Sequence, residues 1–209
     1  MEKNPCNLKD TILSNLIQFL LGFFLVCLVL SWFYYPLGIY YENLSAFGRS
    51  ISPIQTQILF LLMCLTWIFI NASINLWLFS MVEDIKLKIA LLIQLIMNMI
   101  AWSFIYVYPQ DLHLTNHMIA VGFMFSSIVL LVIIFLVLFI KLGIFRFWQF
   151  FLPIILFVLM LLGIMEGNID KTNYYTQRFF FLFLCILCFT FQNTLKNEQF
   201  KDQLNFFKN

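Results

Sequence analysis

The sequence predicts an all-α integral membrane protein, a six-transmembrane-helix bundle with both termini cytoplasmic. Three observations predict it. Hydrophobic residues make up 63% of the 209-residue chain and charged residues 11%, whereas soluble domains carry about 25% charged residues. Six apolar runs, at about 12–33, 54–80, 87–107, 117–140, 145–165 and 176–195, each reach the length of a membrane crossing, which takes about 20 residues in an α-helix. Lysine and arginine collect on one side of the alternation that these runs impose. The runs lack the alternating pattern of barrel strands, and a helix satisfies its own backbone in lipid. They use nearly the whole chain, so residues 1–209 read as a single integral membrane domain.

The first run ends in SWFYYP. It is longer than the apolar core of a signal peptide, and its aromatic end lacks the small residues of a cleavage site, so it reads as a retained helix. The connection after it, about 34–53, is the longest and contains ENLSAFGRSISP. The second run carries Asn71 and Asn75, and the third carries Gln94 and Asn98. Each pair is four residues apart and shares a helical face. Lipid offers amides no partner, so these two rows are expected to face each other. MVEDIKLK at 81–88 and KLGIFR at 141–146 read as tight, charged turns. YPQDLHLTNH joins the third run to the fourth, and EGNIDKTNYYTQR at 166–178 leads into the sixth. In the tail, Phe200, Leu204, Phe206 and Phe207 suit either a short amphipathic segment on the inner surface or a frayed end.

Six crossings place both termini on the side of the turns at 81–88 and 141–146. Nine basic residues lie there: Lys3, Lys9, Lys86, Lys88, Lys141, Arg146, Lys196, Lys201 and Lys208. The other side has Arg49, Lys171 and Arg178. The excess marks the first side as cytoplasmic. Trp32, Tyr34, Tyr35, Tyr40, Tyr41, Tyr106, Tyr108, Tyr174 and Tyr175 then fall at the outer boundary, as an aromatic belt would.

That outer face gathers Glu42, Arg49, Asp111, His113, His117, Glu166, Asp170, Lys171 and Arg178. His113 and His117 are the chain's two histidines, spaced to share a helical face. Zinc takes three or four ligands, Asp111 is separated from a common helix by the turn at Pro109, and neither HExxH nor a nearby cysteine is present. No metal and no cofactor are expected. Ser45 and Ser50 reach a histidine only through the fold, and no GxSxG elbow occurs. The expected role of His117 is to cap and orient the start of the fourth helix as a largely neutral hydrogen-bonding hub. The C-x-x-C pair Cys185 and Cys188 lies inside an apolar run and reads as packing, as do Cys27 and Cys64. Asn43-Leu44-Ser45 matches a glycosylation sequon on the outer side. Proton-coupled transporters carry charge deep in the membrane, whereas these runs carry it only near their ends, at Lys88, Arg146 and Arg178, with Glu166 just past the fifth.

A resemblance rests on the order of short elements. Leu44-Ser45-Ala46-Phe47-Gly48 follows the first run, then Pro53 and Phe60; Tyr108-Pro109 follows the third; His117, Ala120 and Phe123 mark the fourth; Gln177-Arg178 opens the sixth. This order resembles the DRAM/Frag/Sfk group of six-helix membrane proteins and a related prokaryotic integral-membrane family of unknown function. Two departures are Tyr108, where the group has phenylalanine, and a proline-rich stretch reduced to Pro53. The resemblance implies membrane-lipid remodelling, and it makes Ser45, Gly48, His117, Gln177 and Arg178 an outer-face cluster.

Together these readings predict a multi-pass membrane protein that works as a lipid-associated accessory or lipid-remodelling protein. Its ligand-binding cluster would comprise Ser45, Gly48, Arg49, Asp111, His113, His117, Gln177 and Arg178. Its partners would be membrane lipids and not nucleic acid. The sequence commits no residue to catalysis. Two other readings stand beside this one: a membrane-embedded hydrolase or transferase using His117, and a small-solute transporter.

Overall fold

The computed structural model describes residues 8–35 and 47–141, together with the helical residues Ile155, Val158 and Ile186. Four long helices fill the described residues: α1 (Leu8–Tyr34), α2 (Ile54–Met81), α3 (Ile85–Val107) and α4 (Leu114–Lys141). All four are long and apolar enough to cross a membrane. At about 1.5 Å per residue each extends roughly 35 to 42 Å, more than a hydrocarbon core of about 30 Å. The expected fifth and sixth helices, Ser45, Gln177, Arg178 and both termini lie outside the described residues.

Consecutive helices pack side by side, α1 on α2, α2 on α3 and α3 on α4. Short connections at 82–84 and 108–113 enforce this order. Each helix turns one stripe inward. On α1 it is Ser14, Ile17, Phe24, Cys27, Leu28 and Ser31, at steps that follow the 3.6-residue turn. Phe19, Val26, Val29 and Phe33 on its other side are exposed. Exposed apolar side chains on every helix are the surface that a lipid solvent requires.

Local chemistry sets the helix starts. The Asp84 carboxylate accepts a hydrogen bond from Lys86 N at 2.9 Å and caps α3, which begins at Ile85, two residues before the expected start. α4 begins at Leu114, three residues before the expected 117. The cause is the turn ahead of it: Pro109 O accepts from Leu112 N (3.2 Å) and His113 N (2.9 Å), so a helical turn is already wound when Leu114 is reached. His117 therefore sits inside the first turn of α4 and does not cap its start.

The two amide rows meet across the α2–α3 contact. Asn75 Nδ2 donates to Gln94 Oε1 at 2.8 Å and to Asn71 Oδ1 at 3.0 Å. Four-residue steps in opposite directions along two antiparallel helices keep the register. They bring Asn71 level with Asn98 and Trp67 level with Trp102, whose ring centroids are 6.2 Å apart. Asn98 Nδ2 reaches a third helix, donating to Ser127 Oγ of α4 at 3.4 Å. All four amides are at most 2% exposed. Six polar atoms there have no partner among the described residues: Asn71 Nδ2, Gln94 Nε2, Trp67 Nε1, Trp102 Nε1, Asn75 Oδ1 and Asn98 Oδ1. Each such atom costs about 1–3 kcal/mol if left dry. By contrast, the hydroxyls of Ser31 and Thr66 bond back to their own helix, at Cys27 O and Leu62 O.

Candidate functional site

The loop ends of four helices meet at one end of the bundle: the last residue of α1, the first of α2, the last of α3 and the first of α4. The loop into α2 is fixed there by packing. Phe47 is buried at 1% exposure and lies edge-on to Tyr35, with centroids 6.5 Å apart. Gly48 lies directly against the Phe60 ring. A Cβ at position 48 would come within 2.5 to 2.6 Å of two ring carbons, so any larger residue forces either the loop or the buried ring to move.

Past Gly48 the loop is polar and is tied to α2. Gln57, in the first turn of α2, reaches back with Nε2 to Ser52 O (2.8 Å) and Ser50 O (3.3 Å). The loop is also tied to the α3–α4 connection. Asp111 accepts from Ser50 twice: its Oδ2 takes the hydroxyl at 2.5 Å and the backbone amide at 3.1 Å. Arg49 Nη2 donates to Gln110 Oε1 at 3.4 Å. Two connections 61 residues apart in sequence are thereby clamped together.

Electrostatics follows from this geometry. Removal of water around Asp111 works against its charged form. The Ser50 hydroxyl and amide and the Arg49 charge outweigh that, and the Asp111 carboxyl sits below its ordinary value of 3.8. It is an ionised acceptor across the physiological range.

The two histidines part company. His113 is exposed, and its ring stands edge-on to Tyr108 with centroids 5.6 Å apart. His117 is buried at 3% exposure. Its Nδ1 lies 2.9 Å from Tyr108 O. A carbonyl oxygen only accepts, so Nδ1 carries the proton, and Nε2 is the acceptor of the neutral ring. His117 thus fastens the end of α3 to the start of α4. Among the described residues no hydroxyl or thiol is bonded to its ring, and no three of His, Cys, Asp and Glu converge on a common point. The i, i+4 spacing that suggested a shared face carries one ring outward and the other into the core.

Of the eight sequence-derived site residues, the structure brings Arg49 and Asp111 into one cluster, beside Gly48. His113 and His117 belong to the adjoining turn. Sequence reasoning missed Gln57 and Gln110. Their available signals were a glutamine in the first turn after Ser52-Pro53 and the polar run Gln110-Asp111 after Pro109.

No family model, no curated protein and no solved structure matches this chain. The resemblance to the DRAM/Frag/Sfk group therefore rests on motif order and expected topology alone.

Proposed function

We propose that this is a six-helix, multi-pass membrane protein with both termini cytoplasmic, acting as a lipid-associated accessory or lipid-remodelling protein. Its lipid-facing element is the clamped cluster of Arg49, Ser50, Gln110 and Asp111 at the outer leaflet. One observation carries the reading. A guanidinium and a carboxylate are held by two connections at the end of the apolar bundle, while Ile51, Ile54, Leu112 and Leu114 beside them are 57 to 73% exposed. Exposed apolar groups framing a fixed charge suit the boundary between acyl chains and headgroups. The Arg49 guanidinium, already bonded to Gln110, fixes a positive charge there that suits a headgroup phosphate, and Asp111 suits the amine or hydroxyls of the same headgroup. The motif order in Leu44–Gly48, Tyr108-Pro109 and His117 supports the same class.

Two measurements test this. An impermeant thiol reagent, on a cysteine-free background, is expected to label a cysteine at position 111 from outside and one at position 86 only after permeabilisation. The reverse pattern moves the cluster to the cytoplasmic leaflet and sinks the orientation. Protein purified with native lipid is expected to lose bound anionic phospholipid severalfold in Arg49→Ala, and to keep it in His117→Ala. An unchanged lipid complement in Arg49→Ala sinks the headgroup role.

A further inference from the structure

Between α2, α3 and α4 lies a polar island enclosed by apolar layers. Asn71, Asn75, Gln94, Asn98 and Ser127 are each at most 2% exposed, and Trp67 and Trp102, one turn further along, are 3% and 2% exposed. The same face of α2 continues with Phe60 and Met63 beyond Trp67, and with Leu78 beyond Asn75, all buried. On α3 the island ends at Leu91 and Ile105. Among the described residues the polar groups reach neither end of the three helices, so the arrangement reads as an occluded site and not a pore.

The unpaired atoms define what it holds. The oxygen and nitrogen of an amide exchange places on a flip, so amide assignments are adjustable. An indole N–H is not adjustable, because it can only donate. Among the described residues, Trp67 Nε1 and Trp102 Nε1 are both buried without an acceptor. Asn75 Oδ1 and Asn98 Oδ1 are buried without a donor. A cation has nothing to offer the indole N–H groups. An anion has nothing to offer the orphan carbonyls, and among the described residues no charged side chain lines the island to balance either ion. A neutral guest that both donates and accepts completes the two sets at once. Water is the smallest such guest, and it makes two to four hydrogen bonds when buried.

We propose that ordered water occupies this island and bridges the indoles of Trp67 and Trp102 to the amides of Asn71, Asn75, Gln94 and Asn98. The water is a component of the α2–α3–α4 interface. It accounts for four amides being buried together at the α2–α3 contact. This inference is independent of the lipid reading, because it uses none of the residues of the loop cluster.

Full-length protein in lipid nanodiscs, carrying ¹⁵N-indole tryptophan, tests it by water-to-indole magnetisation transfer. The tryptophan signals are assigned by single Trp→Phe changes. The indoles of Trp67 and Trp102 are expected to receive magnetisation from water despite their burial. Trp102→Phe keeps the ring and removes one partner of the water, so transfer at Trp67 should fall severalfold. Asn98→Leu should abolish transfer at Trp102. If Asn98→Leu does not fold, the Trp102→Phe comparison decides by itself. A wild-type protein with no transfer at either indole overturns the proposal. So does a Trp67 signal unchanged by Trp102→Phe.

Discussion

The loop cluster and the buried island use related groups in opposite surroundings. At the loop end, the Asp111 carboxylate is exposed, fully charged and paired with the Ser50 hydroxyl and amide. Inside the span, Asn75 meets Gln94 and Asn98 meets Ser127, all neutral and all buried. The difference shows how this chain handles polarity. Full charge is placed where water screens and solvates it, and the resulting bonds are individually weak. Among the described residues, buried polarity within the helices is confined to amides, hydroxyls, indoles and the His117 ring, which can be satisfied without ionisation.

The largest expected effect comes from moving a carboxylate across that divide. Asn98→Asp adds a charge without adding bulk at a position with no exposed surface. At neutral pH it should destabilise the protein by about 2.5–3.5 kcal/mol, the cost of an ionised residue at a helix centre. Burial raises the pKa of the introduced carboxyl above its unfolded value. The penalty is therefore present above the folded pKa and relieved as pH falls through it. Reversible unfolding in mixed micelles, followed by tryptophan fluorescence at several pH values, measures this. A loss that stays constant on acidification would contradict the account.

An intermediate effect belongs to the contact between the amide rows. Asn75→Leu takes from Gln94 its bonded amide, Gln94→Leu leaves Asn75 bonded to Asn71 alone, and the double change removes the contact altogether. The double-mutant cycle should give a coupling of about 0.6 kcal/mol, and at most roughly 2. A coupling of zero would mean that the 2.8 Å bond from Asn75 to Gln94 adds nothing beyond packing.

The smallest effect is at the clamp. Asp111→Asn should cost at most about 1 kcal/mol at neutral pH, as exposed polar pairs do. Its pH dependence has the opposite sign to that of the buried carboxylate. The Asp111 carboxyl lies below its ordinary 3.8, so its contribution is complete above that value and fades as pH falls through the lowered one. Asp111→Asn should flatten the acid limb of the stability curve, and an equally steep limb in the variant would remove Asp111 from the account. Opposite pH slopes at positions 98 and 111 would state the comparison most sharply.

Much of the fold was legible in the sequence because apolar length is a one-dimensional property. The four described spans lie within a few residues of the runs that predict them, and the displaced starts trace to local turn chemistry at Asp84 and Pro109. The facing of Asn75 and Gln94 was legible too, since four-residue spacing fixes a shared face and lipid leaves that face one use. The site was less legible. Equal spacing gave His113 and His117 the appearance of a pair, but the ring directions depend on where α4 begins, and the Pro109 turn set that.

By itself, then, the sequence determined the helical class, the length and apolarity that suit helices to a membrane, and the shared faces of the amide pairs Asn71/Asn75 and Gln94/Asn98, because these follow from composition and period. The tertiary structure decided which distant groups meet. Ser50 meets Asp111 and Arg49 meets Gln110 because α2 and α3 return two loops to one end of the bundle. Asn98 finds Ser127 because α4 folds back against α3. The His117 ring turns to Tyr108 O because the turn between α3 and α4 brings that carbonyl within reach. Spacing along a chain fixes faces; only packing fixes which faces touch.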